Sequence, residues 1–241
     1  MTTALKRTYW WLARQLGLTK PPTDPKQIFS AIYHDGTWGK GEDFFSGEGS
    51  HEPGIVEPYV ATVRNFLQSL GSLPDVVDIG CGDFHVGSQL VGSARRYVAC
   101  DIVPDLVERN RRKFTVPNLR FEVVNAIDDP LPEGDVVFLR QVLQHMSNEH
   151  IQAVLPKLAR YRHWVVTEHL PADADFLPNA DKRTGGDVRL MKSKSGVVLT
   201  APPFNVQPRR STVLCEVSSP SGGQPAVIRT VVYEFQAEPA H

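Results

Sequence analysis

The longest run of helix-spaced apolar residues begins at Ile55. Ile55, Tyr59, Val63, Phe66, Leu67 and Leu70 recur along one helical face, and Gly71 stops the run. The rhythm then changes. Val76-Val77-Asp78-Ile79 is a short apolar strand that ends in glycines. Residues 86–91 read as the start of a helix. Residues 96–100 read as a second strand, closed by Asp101. Residues 104–114 are helical, with Pro104 in a first turn, where its missing N–H is not needed. Residues 119–124 alternate like a strand, and residues 135–139 form another after an acidic, proline-rich loop. Residues 147–161 predict a helix with Ser147 as N-cap and His150 three places on. Residues 164–167 make a fifth strand.

Strands alternating with helices imply a parallel sheet with right-handed crossovers. After Leu170 the alternation stops. Two further strands, residues 212–217 and 227–235, are joined by SSPSGGQPA. The predicted fold is therefore α/β and Rossmann-like. Its mixed sheet has five parallel strands plus a C-terminal hairpin-type antiparallel pair, with helices on both faces. Residues 1–54 form an N-terminal helix and a lid-like loop, and residues 55–241 form the main domain. That domain divides into a core at 74–170, a substrate-side insertion at 171–210 and C-terminal strands at 211–236. Tyr9, Leu12 and Leu16, with Trp10 and Trp11, give the first helix an apolar face. It packs on the body or on a second copy, which would make a homodimer. The stretch 28–54 is rich in glycine, serine and aromatics, and long structured loops of this kind are often functional.

Composition narrows the class. The chain has 241 residues, 41% hydrophobic and 22% charged, which suits one sizeable domain. A net charge of −1 gives no overall attraction to nucleic acid, and no nucleic-acid partner is expected. Arg111-Arg112-Lys113 and Arg209-Arg210 read as solvated surface. The three cysteines, Cys81, Cys100 and Cys215, are too few for a disulfide framework and fit a reducing cytoplasm. A signal peptide is not expected. No apolar run approaches the roughly 18 residues of a membrane span, so no membrane partner is expected.

The chemistry starts at the first strand. Ligands on such sheets sit beyond the carboxyl ends of the strands. Gly80 and Gly82 follow one of these ends, and without Cβ atoms they let the backbone turn sharply and approach a ligand. The helix expected next would add free N–H groups and a positive end. Asp78 fixes the loop or accepts from a cationic amino group. Asp101 lies about twenty residues on, where a carboxylate can accept both hydroxyls of a ribose. A nicotinamide dinucleotide would use the same geometry, but its fingerprint needs a glycine where this chain has His85. Asp83 would also face its pyrophosphate. A ligand with a cationic sulfonium meets no such objection.

The segment VVDIGCGDFHVG, with Asp101, resembles the class I methyltransferases that use S-adenosylmethionine (SAM). Asp78-x-Gly80-x-Gly82 is similar to their first motif, and Phe84 replaces the third glycine of many members. Asn125-Ala126-Ile127 falls where the family reads adenine, with Asn125 in place of the frequent Asp. Residues 139–146 resemble the fourth motif, beneath the methionine part. The match covers residues 55–170. A looser likeness to bacterial small-molecule methyltransferases adds Tyr33, Trp38 and Ser50 upstream, and Asn179 and Arg189 downstream. The resemblance implies SAM as cofactor and a small-molecule acceptor. It implies a donor site of Asp78, Gly80, Cys81, Gly82, Asp101, Ile102, Asn125, Ala126, Ile127, Arg140 and Gln141, covered by Tyr33, Trp38 and Ser50. Asn179 and Arg189 would bind the acceptor.

Methyl transfer from a sulfonium is an in-line displacement, so the protein mainly aligns the reactants and excludes water. A base helps where the acceptor must lose a proton. His145, after the fourth strand, is the first candidate; Glu168 and His169, at the predicted end of strand five, are the others. No metal is expected. A nucleic-acid methyltransferase, a SAM-binding protein without catalysis and a nicotinamide oxidoreductase are the alternatives.

Overall fold

The computed structural model describes residues 23–39 and 44–235. The predicted first helix, and any dimer made through it, lie outside these residues. The described chain begins with helix α1 (Pro25–Asp35), whose N-cap Asp24 accepts from Lys26 N–H. Helix α2 (Pro53–Ser69) follows and buries Val56, Tyr59, Val60, Val63 and Leu67. Next come β1 (Asp75–Ile79), β2 (Arg96–Asp101), α3 (Pro104–Lys113), β3 (Leu119–Val123) and β4 (Val136–Arg140). Helix α4 (Asn148–Leu158), β5 (His163–Pro171), α5 (Arg189–Ser193), β6 (Arg210–Ser218) and β7 (Ala226–Glu234) complete the order.

The sheet runs β3-β2-β1-β4-β5-β7-β6. The first five strands are parallel, and β7 and β6 join antiparallel, so the predicted mixed sheet is borne out. Side chains alternate across the sheet. Val77, Val98, Val137 and Leu139 face one side, where Ile151, Val154 and Leu158 of α4 cover them. Val76, Tyr97, Val136 and Phe138 face the other, under α2 and under Val107 of α3. Both faces are buried, so the central strands are almost wholly apolar. Arg111 and Arg112 pair with Glu108 near the negative pole of α3, and Arg111 also donates to Phe121 O of β3.

One predicted element is absent. The expected helix at 86–91 is replaced by two 3-10 turns, Gly87–Gln89 and Val91–Ser93. Gly87 and Gly92 each cost about 1 kcal/mol in a helix relative to alanine, and the intervening serine adds nothing. Phe84 has also turned inward with φ 64° and is fully buried against Tyr97, Phe114 and Phe121. No helix N-terminus therefore faces the glycine loop. The loop is held by the sheet instead: Gly80 N–H and Cys81 N–H both donate to Cys100 O, at 2.8 and 2.9 Å.

The insertion between β5 and β6 is tied down by two buried polar side chains. Asn179, at φ 60°, accepts from Val198 N–H and donates to the carbonyls of Val198 and Pro202. Arg189 donates to the carbonyls of Ala180, Leu143, Gln144 and Met146 and to Asn148 Oδ1. The guanidinium has five N–H groups, and these bonds engage all of them. Asn179→Ala would leave buried partners unsatisfied, so it should destabilise the fold by about 3 kcal/mol, read as a lower urea midpoint.

Candidate active site

A cavity opens at the carboxyl ends of β1, β2 and β4. Its floor is the glycine loop. Gly80 has φ 71°, and a Cβ there would stand 2.5 Å from Val142. Gly82 has φ 57°, and a Cβ there would stand 2.4 Å from Ser46 Oγ. Only glycine takes this backbone without strain and leaves this space. Asp101 Oδ2 accepts from Gly82 N–H at 3.1 Å, and Oδ1 accepts from Val103 N–H at 3.0 Å. Asp78 accepts from the Tyr97 hydroxyl at 2.9 Å. Burial pushes both carboxyls up to about 6, with bonds from Tyr97 and from backbone N–H groups pulling the other way. Both are mainly ionised at neutral pH.

The far wall is the turn after β3. Ile102, Asn125, Ala126 and Ile127 line it. The Asn125 amide folds back on its own turn: Oδ1 accepts from Ile127 N–H and Nδ2 donates to Asp128. Lys157 of α4 donates to the carbonyls of Ala126, Ile127 and Asp129, which holds the turn from behind. At the end of β4, Arg140 lies 4.9 Å over the Tyr59 ring and donates to Ser50 Oγ and Gly49 O, while its Nε has no partner. Gln141 sits in the left-handed region at φ 57°, with its Nε2 buried and unpartnered. Strain and orphaned donors of this kind gather at ligand sites.

Residues 25–39 and 44–51 roof the cavity. Tyr33 OH meets Ser46 Oγ at 3.0 Å, and Ser46 Oγ accepts from Asp83 N–H at 2.8 Å. Asp83 in turn accepts from Ser46 N–H at 2.9 Å and pairs with His51 Nε2 at 2.6 Å. His51 stacks between Phe45 and His85. Trp38 packs on Tyr33 at 5.2 Å and on His145 at 4.9 Å, and its indole N–H points to Gly186 O of the insertion. His145 is neutral at neutral pH: burial, with the Lys182 ammonium beside it, pulls its imidazole down to about 4.

Every residue expected to hold or cover the donor lines this cavity, and so does His145. Glu168 and His169 do not. Strand β5 runs on to Pro171, so both lie within the strand rather than at its end, opposite Arg229 and Ile228 of β7. His169 Nε2 meets Ser219 O at 2.8 Å. Asn179 and Arg189, expected on the acceptor, have their polar atoms turned to the insertion and the 143–148 turn. Sequence reasoning missed Phe29, Tyr59 and the lid clasp at Asp83. Helical spacing put Tyr59 on a buried face, but nothing local announced the ring beneath Arg140. Among the described residues, no three His, Cys, Asp or Glu side chains are placed to hold a metal.

A methyltransferase-domain family model matches residues 76–162. That segment belongs to the methyltransferase-domain family. It holds the glycine loop, the acid of β2, the turn after β3 and the end of β4. The resemblance read from the sequence is thereby borne out. No curated protein is similar enough in sequence to match. Most of the chain is similar in fold to several solved methyltransferases. The magnesium protoporphyrin IX methyltransferase of Synechocystis, with bound SAM, is 17% identical, with a TM-score of 0.54 over 90% of this chain and 100% of that one. The N-methyltransferase NodS of Bradyrhizobium japonicum, with S-adenosylhomocysteine (SAH), is 11% identical, with a TM-score of 0.55 over 80% and 93%. The N-terminal domain of EvdMO1, also with SAH, is 15% identical, with a TM-score of 0.53 over 82% and 90%.

Glu168 offers a check on its own role. Its two oxygens are buried without hydrogen-bond partners, and burial pushes the carboxyl up to about 8 despite the nearby Arg189 guanidinium. The folded protein keeps this proton while the unfolded chain releases it from about pH 4.5 upward. Stability therefore falls as pH rises through that window and levels off above about 8. Glu168→Gln should flatten the fall, leaving the thermal midpoint near wild type at pH 5 and several degrees higher at pH 9.

Proposed function

We propose that this methyltransferase moves the methyl group of SAM to an oxygen or nitrogen of a small-molecule acceptor. The observation that carries the reading is the meeting, in one cavity, of the left-handed glycine loop, the Asp101 carboxylate and the family's strand order. The residues present fit this donor. Asp101 is placed for the ribose hydroxyls, and Ile102, Ala126 and Ile127 offer apolar surface to the adenine. The Asn125 side chain is engaged within its own turn, so the backbone there is the better adenine partner. Asp78 suits the ammonium group, and the orphaned Nε of Arg140 suits the carboxylate. Tyr33, Trp38 and Ser50 belong to the roof, and Gln141 offers its unpartnered amide donor.

SAM supplies an activated methyl carbon on a positive sulfur. A bond forms from the acceptor atom to that carbon as the carbon–sulfur bond breaks, and its electron pair stays on sulfur. The protein's part is to align the three atoms and keep water away. His145, uncharged at neutral pH, is in the form that can take the proton an acceptor loses. Glu168 and His169 carry no step in this reading. Asn179 and Arg189 shape the site through the insertion without touching the acceptor.

Asp101→Ala should abolish SAH binding in calorimetry, because the ribose loses its acceptor; unchanged affinity would overturn the donor site. The ionised forms of Asp78 and Asp101 are the ones that accept bonds. SAM affinity should therefore be steady above pH 7 and fall roughly tenfold or more by pH 5, as the carboxyls near 6 take up protons. Calorimetry at pH 5 and pH 8 reads this.

A further inference from the structure

The cavity is electrically lopsided. Its charged lining residues are Asp78, Asp83, Asp101 and Arg140, which lie at the glycine loop and under the roof clasp. No charged side chain lines the opposite corner, although the Lys182 ammonium lies behind it on His145 O. There Phe29 of α1, Trp38 of the roof and His145 of the turn after β4 meet, with ring centres 4.9 to 6.4 Å apart. Pro25 and Met146 extend the same wall. The rings pack on one another at tilted or edge-on angles, as aromatic pairs prefer. All three rings are only partly buried, so they keep surface toward the cavity.

We propose that this corner seats the methyl acceptor, and that the acceptor is an uncharged, flat aromatic compound bearing a hydroxyl or amino group. The inference rests on the methyltransferase reading of the same cavity. A charged group pushed into this corner would lose its water and meet no charged side chain on the wall itself. A small aliphatic alcohol would leave the ring faces uncovered. An aromatic ring covers them and gains contact area at little cost in conformational entropy. The corner is also built from three separate parts. Trp38 hangs from the roof and points its N–H to Gly186, while Gly185 N–H and the Lys182 ammonium both donate to His145 O. Roof, insertion and β4 turn therefore close on the acceptor together. The transfer balances simply. The acceptor's heteroatom gains the methyl, sulfur keeps the bonding pair, and the acceptor's proton passes to His145 or to water.

The test uses the full chain with SAM and a panel of acceptors, following SAH formation. The panel holds neutral hydroxy- and amino-aromatics such as catechol and 8-hydroxyquinoline, a carboxylated analogue such as 4-hydroxybenzoate, and aliphatic alcohols and amines. Calorimetry on the SAH-loaded protein measures acceptor binding independently of turnover. Binding and methylation confined to the neutral aromatics are expected. Phe29→Ala should raise the acceptor KM about tenfold, Phe29→Tyr should restore most of it, and SAH affinity should stay within twofold of wild type. Preference for charged or aliphatic acceptors would overturn the proposal. So would the absence of both binding and turnover across the panel, or an SAH affinity that falls in step with the acceptor KM in Phe29→Ala. Failure of the wild-type protein to bind SAH would instead overturn the methyltransferase reading beneath it.

Discussion

The site depends on how a short glycine loop is fastened to the strand beside it. Two consecutive N–H groups, of Gly80 and Cys81, share the carbonyl of Cys100, and the next residue of that strand, Asp101, takes Gly82 N–H with its side chain. A loop in the left-handed region has little tendency to hold its shape unaided. Here three bonds from one strand end impose it. The same act sets the Asp101 carboxylate at the cavity floor, so the turn and the acid are positioned by one another. Asn110 adds a fourth tie, donating from α3 to Gly82 O.

Around this fastening the molecule assembles a vessel from parts far apart in the chain. The apolar sheet, covered on both faces, provides rigid strand ends. Lys157 reaches from α4 to hold the turn after β3, and Arg189 reaches from the insertion to hold the turn after β4. Arg189 satisfies carbonyls that would otherwise be buried without donors, which is why its charge is tolerated so deep in the fold. The roof is attached to the floor through Asp83, which binds Ser46 and His51 at once.

Much of this was legible in the sequence because it is local. Strand, glycines and acid follow one another at fixed spacing, and the N-cap at Ser147 is written in the residues that make it. The C-terminal hairpin was legible for the same reason. What was not legible depends on partners distant in the chain. Arg189 could have faced a ligand or the backbone, and only the approach of the 143–148 turn decides for the backbone. Glu168 reads as a strand-end acid until β7 pairs alongside and prolongs β5 past it. The missing helix after the glycine loop had a local sign in Gly87 and Gly92. Hydrophobic spacing from Val86 to Val91 concealed it.

Phe84 carries a wider consequence. It stands where many relatives of this loop have a glycine, yet its ring belongs to the aromatic cluster of Tyr97, Phe114 and Phe121, and a Cβ on Gly87 would collide with it. The residue that shapes the loop is thus also a core residue. A loop anchored in this way cannot loosen while the hydrophobic interior stays intact. The floor of the cavity takes its shape when the core consolidates, and loses it when the core melts.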